Sequence, residues 1–190
     1  MREGLRPGGR SARVQKAIHE AVNALLAEQS RDSITVPQIA QRAGVTPTTI
    51  YRRWGDIASL LADVAVEAWQ PEVPPADHGS LKADLYCWLE ECLDETGSGP
   101  GRQLLMDVVS TAQQGPAERC CQFTNVQIEH ILNRANARGE TGLPTVDDVL
   151  DGVYSALIYR TIFVQEPLAV PQLHRLIDRM LLGVGYVASQ

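Results

Sequence analysis

Apolar residues recur at intervals of three and four along nearly the whole chain, and no segment alternates apolar and polar positions as a strand would. Val14, Ala17, Ile18, Ala21, Val22, Leu25 and Leu26 predict a first helix over about 11–29. Two short helices follow over about 36–43 and 47–54, divided by Gly44. Asp56 is positioned to cap a fourth over about 57–70, with Ile57, Leu60, Leu61, Val64 and Ala68 turned inward. The stretch "PEVPPADHG", 71–79, carries three prolines and reads as a connection. Beyond it the pattern predicts helices over about 80–96, closed by "GSGPG", then 102–112, 116–138, 145–165 and 169–188. Thr145 and Asp148 have the spacing of a capping box at the start of the fourth of these. The chain is therefore expected to be all-α, with about nine helices, no repeats, and two units: four helices, then a larger bundle of five.

The stretch "TVPQIAQRAGVTPTTIYRRW", 35–54, is the most informative. Thr35 and Gln38 form a Thr-x-x-Gln capping box. Gly44 can adopt the left-handed conformation that ends a helix and turns the chain. Thr46 suits an N-cap and Pro47 the first helical position. The second short helix would bury Ile50 and Trp54, leaving Thr48, Thr49, Tyr51, Arg52 and Arg53 on its surface. Hydroxyls and helix-start N–H groups hold phosphates, and an Arg forks onto guanine, so this surface suits DNA. Two short helices in this order form a helix-turn-helix, which inserts its second helix into the major groove.

These residues resemble the tetracycline-repressor family of bacterial transcription regulators. The resemblance is carried by "ITVPQIAQRAGVTPTTIYRRWGDIASLL", with Ile39, Ala40, Ala43, Gly44, Val45, Thr49, Tyr51 and Trp54 in register, and it is specific over about 11–65. It implies an all-helical homodimer on a palindromic operator, with DNA contacts at Thr46, Pro47, Thr48, Thr49, Tyr51, Arg52 and Arg53, and phosphate at Thr35. It also implies a carboxy-terminal domain that binds a small molecule and dimerises. A cavity between the fourth and eighth helices would draw on Val66, Trp69, Tyr86, Trp88, Met106, Phe123 and Tyr154, for an effector that is mostly apolar because the body offers few buried-looking charges. The resulting domain division is a flexible basic arm at 1–10, a helix-turn-helix domain at 11–56, and a ligand-binding and dimerisation domain at 57–190. One departure stands out: Ile57 occupies the position where the family usually has Lys. Free N–H groups at the start of that helix, or Arg2, Arg6 and Arg10 in the arm, are the expected replacements for the lost phosphate contact.

Charge agrees with this division. Residues 1–55 hold 9 Lys and Arg against 4 Asp and Glu, a net of +5, whereas residues 56–190 hold 8 against 19, a net of −11. A basic head on an acidic body meets a polyanion at the head only. No apolar run approaches the roughly 18 residues of a membrane span, and the basic start has no apolar stretch behind it, so a cytoplasmic protein is expected.

The last two helices carry the expected dimer seam: Val149, Val153, Ala156 and Ile162 on one, Leu173, Ile177, Met180, Val184 and further along Val187 on the other. No metal site, cofactor or catalytic group is expected. The four cysteines, Cys87, Cys92, Cys120 and Cys121, lack Cys-x-x-Cys spacing. Two alternatives stay open: a thiol-based redox or metal sensor on the same scaffold, using Cys120 and Cys121, and a helical enzyme or interaction protein without a DNA function.

Overall fold

The computed structural model describes residues 8–111, 114–164 and 168–188. The first unit is α1 (Gly8–Glu28), a 3₁₀ turn (Arg31–Ser33), α2 (Val36–Ala43), α3 (Pro47–Trp54) and the first half of α4 (Ile57–Ala68). Thr35 and Gln38 close the expected capping box, with Thr35 N–H donating to Gln38 Oε1 at 2.8 Å. Gly44 sits at φ 66°, ψ 33°, where a side chain would strain the backbone, and its turn crosses α3 over α2. Ile18, Val22, Ile39, Ile50, Trp54, Leu60 and Leu61 then meet in one core. Each fully buried aliphatic side chain there contributes about 1.5–3 kcal/mol, enough to hold two eight-residue helices that would not form alone.

The second unit comprises α5 (Leu81–Gly97), α6 (Gly99–Ser110), α7 (Gln114–Ala137), α8 and α9 (Val170–Val184). In α8 the segments Val146–Val149 and Ser155–Phe163 are joined without a break by a π turn over Leu150–Tyr154. Leu85, Leu89, Ile128, Ile131, Val153, Leu157, Leu173 and Ile177 form its core. The two units meet along α4, which is buried at eight consecutive positions from Ser59 to Val66. Leu60, Leu61 and Val64 belong to the head core, while Ala65 and Val66 pack with Val108 of α6. Helix α4, which the expected division at residue 56 assigns to the second unit, is thus shared by two cores.

Several expected bounds shift for local reasons. Helix α1 starts at Gly8, so residues 8–10 of the expected flexible arm are helical. Arg2 and Arg6 lie outside the described residues, as does the side chain of Arg10. The stretch "GSGPG" both closes α5 and opens α6, because Ser98 ends one helix and its hydroxyl accepts from Gly101 N–H at 3.0 Å. Helix α9 stops at Val184, not 188. The chain turns at Gly185, and Val187 pairs with Thr141 in an antiparallel bridge. The bridge needs Gly142, whose Cβ would lie 2.2 Å from the Gly185 carbonyl oxygen.

The expectation of few buried charges is also corrected. Asp63, Asp84, Asp107 and Glu140 are all buried. Asp84 pairs with Arg134 and Arg138, and Glu140 accepts the Leu81 N–H at 3.0 Å and pairs with Arg138. These carboxylates staple helix ends that periodicity alone leaves unplaced.

Candidate nucleic-acid interface and adjoining cavity

Helix α3 turns Ile50 and Trp54 into the head core and leaves Thr46, Pro47, Thr48, Tyr51 and Arg52 exposed. Arg52 makes no hydrogen bond or ion pair among the described residues, so its guanidinium is available to a partner. Thr49 is half-buried, and its hydroxyl shares a hydrogen bond with that of Thr46 at 3.0 Å. Thr46 has N-cap backbone geometry, but its hydroxyl is turned to Thr49 and caps no N–H.

Three of the expected positions have partners within the chain. Arg53 is half-buried, and its Nη2 donates to the Ser11 hydroxyl at 2.9 Å, which braces α3 against α1. The Thr35 hydroxyl is exposed but spends its hydrogen on Gln38 Oε1. At the start of α4, Asp56 accepts from Ser59 N–H at 2.7 Å, and that bond holds the carboxyl below its ordinary value. A resident carboxylate there repels phosphate. Ile57, in place of a lysine, packs against the head core.

Behind α3 lies a polar cluster that the sequence does not announce. Asp63 Oδ2 accepts from Trp54 Nε1 at 2.9 Å and from His19 Nε2 at 3.0 Å, while Oδ1 is paired with Arg119 of α7. His19 Nδ1 meets Glu67. Carboxylates on both ring nitrogens require the doubly protonated imidazolium, since only that form donates twice. Burial of the ring opposes its charge, but the bonds to Asp63 and Glu67 outweigh burial and raise its pKa above 6.5. Asp63 is likewise desolvated, yet His19, Trp54 and Arg119 hold its carboxyl well below the usual range. A second strut joins the units where Arg31 of the 3₁₀ turn pairs with Asp107 of α6. Periodicity along one helix does not bring these residues together: apart from Asp63 and Glu67, which share α4, they come from separate elements, and the contacts made by His19, Arg31 and Arg119 span 44–76 positions.

The pH dependence follows in sign. The contribution of His19 is complete below pH 6.5 and is lost as pH rises through the raised folded value. That of Asp63 is complete above pH 3.8 and is lost as pH falls toward the depressed folded value. The melting temperature is therefore expected to decline from about pH 6.5 upward, and His19→Gln should flatten that alkaline limb. Equal slopes for the two proteins between neutral and pH 9 would refute the assignment.

Adjoining α4 is a cavity of about 450 Å³. Of the seven residues expected to line it, Trp69, Trp88, Phe123 and Tyr154 do. The other three have different neighbours. Val66 is packed between α4 and α6 with Val108. Tyr86 stacks on His174 with ring centroids 3.8 Å apart and donates to Asp178 at 2.7 Å. Met106 stands at the surface of α6. The π turn brings Tyr154 into the cavity, where its ring lies parallel to that of Trp88 at 6.0 Å. Sequence reasoning missed Glu91, Cys92 and Glu95, although with Trp88 they follow the three-and-four spacing of one helix face.

Cys92 and Cys120 also line the cavity. Burial pushes the Cys92 thiol up to about 12 and that of Cys120 to about 11. The thiolate is the reactive form, so these positions disfavour redox sensing. Among the described residues no three His, Cys, Asp or Glu side chains gather as a metal site would need, and no helix is long and apolar enough to cross a membrane.

The expected dimer seam divides in two. Val149, Val153, Leu173 and Ile177 are fully buried in the chain's own core and have no surface left for a partner. Ala156, Ile162, Met180 and Val184 are half-buried, and Val187 bridges to Thr141 through its backbone with its side chain exposed. The outward faces of α8 and α9 instead show Tyr159, Phe163 and Leu182, at 60, 71 and 83% exposure.

Comparison with known proteins agrees with both halves. Residues 18–64 match the family model "Bacterial regulatory proteins, tetR family", and residues 75–180 match "Tetracyclin repressor-like, C-terminal domain". The chain is 29% identical over 146 residues to the HTH-type transcriptional regulator AqdR of Rhodococcus erythropolis, covering 75% of this chain and 70% of that one. It is 28% identical over 167 residues to the uncharacterized HTH-type transcriptional regulator Rv1556 of Mycobacterium tuberculosis, covering 83% and 81%. Among solved structures, the TetR family transcription regulator SCO0332 superposes with a TM-score of 0.68 at 23% identity, over 90% of this chain and 97% of that one. A TetR transcriptional regulator from Rhodococcus sp. RHA1 does so with 0.59 at 18%, over 92% and 96%. At these identities the structures speak for the fold alone.

Proposed function

The chain belongs to the tetR family of bacterial regulatory proteins, and on that premise we propose that it is a homodimeric repressor. It binds a palindromic operator through α3 and leaves it when a small molecule occupies the cavity beside α4. One observation carries the reading: Asp63 bonds at once to Trp54 of α3 and to Arg119, the residue beside the cavity-lining Cys120 on α7. A ligand that displaces α7 therefore pulls on the seat of the DNA-reading helix. Operator affinity falls only if the ligand binds the displaced state better, and coupling of about 1–3 kcal/mol is typical of such switches.

Within this reading residues 11–56 read DNA and 57–190 bind the effector and the second subunit, with α4 common to both. Arg52 contacts a base edge; Thr48, four positions earlier, shares its helix face. Tyr51 and the hydroxyls of Thr46 and Thr48 hold phosphate. The second subunit covers Tyr159, Phe163 and Leu182, with Ala156, Ile162, Met180 and Val184 around them. Two copies of α3 then serve half-sites about 34–36 Å apart.

Operator fragments selected from genomic DNA test the proposal. Arg52→Ala should weaken operator binding by about 1–3 kcal/mol and flatten the preference among operator variants, whereas Tyr51→Phe should weaken all of them alike. An unchanged ranking in Arg52→Ala would remove it from base recognition. Ala68→Trp, at the cavity wall, should leave operator binding intact and abolish release by ligand. If the variant is still released, the effector binds elsewhere.

A further inference from the structure

The cavity is asymmetric in charge. Glu72, Glu91 and Glu95 stand in its lining, and no Lys, Arg or His does. None of the three carboxylates has a cationic partner among the described residues, whereas Glu90, next to Glu91 on α5, pairs with His174. Glu91 and Glu95 are exposed and occupy successive turns of α5, on the face that also carries Trp88 and Cys92. The inner wall is formed by the rings of Trp69, Trp88, Phe123 and Tyr154. Aromatic faces carry partial negative charge and attract cations, most strongly where water is excluded. Unpaired carboxylates at the mouth act in the same direction at longer range.

We propose that the effector is an organic cation with a flat apolar body, whose rings lie between Trp88 and Phe123 and whose positive charge faces Glu91 and Glu95. This rests on the reading of the cavity as the effector site and adds its chemical class. The expected effector is thus amphipathic rather than simply apolar. An anion of the same shape meets three carboxylates and no counter-charge. A neutral molecule gains the ring contacts only.

Three compounds of one ring system and different charge separate these cases: 10-methylacridinium, 9-methylanthracene and anthracene-9-carboxylate. Two of the three tryptophans line the cavity, so quenching of their fluorescence reports occupancy. The cation should bind about tenfold or more tighter than the anion, and the double variant Glu91→Gln, Glu95→Gln should reduce its affinity by about tenfold. The neutral compound should bind both proteins equally. If the neutral or the anionic compound binds the unaltered protein as tightly as the cation, or if the double variant holds the cation undiminished, the cavity remains a ligand site and the cationic class is wrong. If none of the three quenches the tryptophans or shifts the melting temperature, the cavity reading itself falls, and the class with it.

Discussion

Asp63→Ala is expected to lower the stability of the protein by about 3–5 kcal/mol, a fall of roughly 10 °C in melting temperature for a chain of this size. The reason is the company Asp63 keeps. It is 8% exposed and is the one carboxylate that meets Trp54, His19 and Arg119 together. Removing it leaves the buried imidazolium of His19 with Glu67 alone. The cost is that of stranding a charge already buried, which exceeds what the pair contributes when intact. Asp63→Asn should be milder, since the amide oxygen still accepts from Trp54. Arg119→Gln separates stability from signalling. Arg119 is 42% exposed in its side chain, so its loss should cost little stability. Yet it should leave operator binding insensitive to a cavity ligand whose binding is still visible by fluorescence. Full release in Arg119→Gln would move the coupling to the other junction, Arg31 with Asp107.

Phe163→Glu combined with Leu182→Glu is expected to yield a folded monomer whose operator affinity falls by about 10²–10⁴-fold, the loss that follows when two half-site contacts are no longer linked. Both side chains are mostly exposed in the single chain, so the change should move the melting temperature of the monomer by little. Sedimentation gives the mass and a gel-shift the affinity. A double variant that remains a dimer at micromolar concentration would shift the interface away from α8 and α9. Substituting Val153 or Ile177, expected from sequence to lie on the seam, would instead collapse the core and could not distinguish the two effects.

The head was legible because its signals are local. A capping box spans four residues, a left-handed glycine declares itself, and Thr46-Pro47 marks a helix start within two positions. The structure accordingly puts α2 over Val36–Ala43 and α3 over Pro47–Trp54, as the pattern predicts. Exposure of Thr48, Tyr51 and Arg52 followed from the same period, because a short helix with Ile50 and Trp54 inward has only one other face.

The body was legible as helices but not as surfaces. A spacing of three and four identifies a buried stripe without saying what buries it. Val149, Val153, Leu173 and Ile177 satisfy a coiled-coil seam and a domain core equally well, and packing within the chain claimed them. The bridge between Thr141 and Val187, which ended α9 early, joins positions 46 apart. By itself the sequence determined the helix content, the helix-turn-helix and the side chains exposed on its second helix, because those depend on caps, turns and periods within a few residues. Only the tertiary structure decided that α4 belongs to two cores, that Asp63 joins α3 to α7 beside the cavity, and that three carboxylates and four rings line one cavity. Each depends on which distant helices are brought together, and that is set by how apolar faces pack.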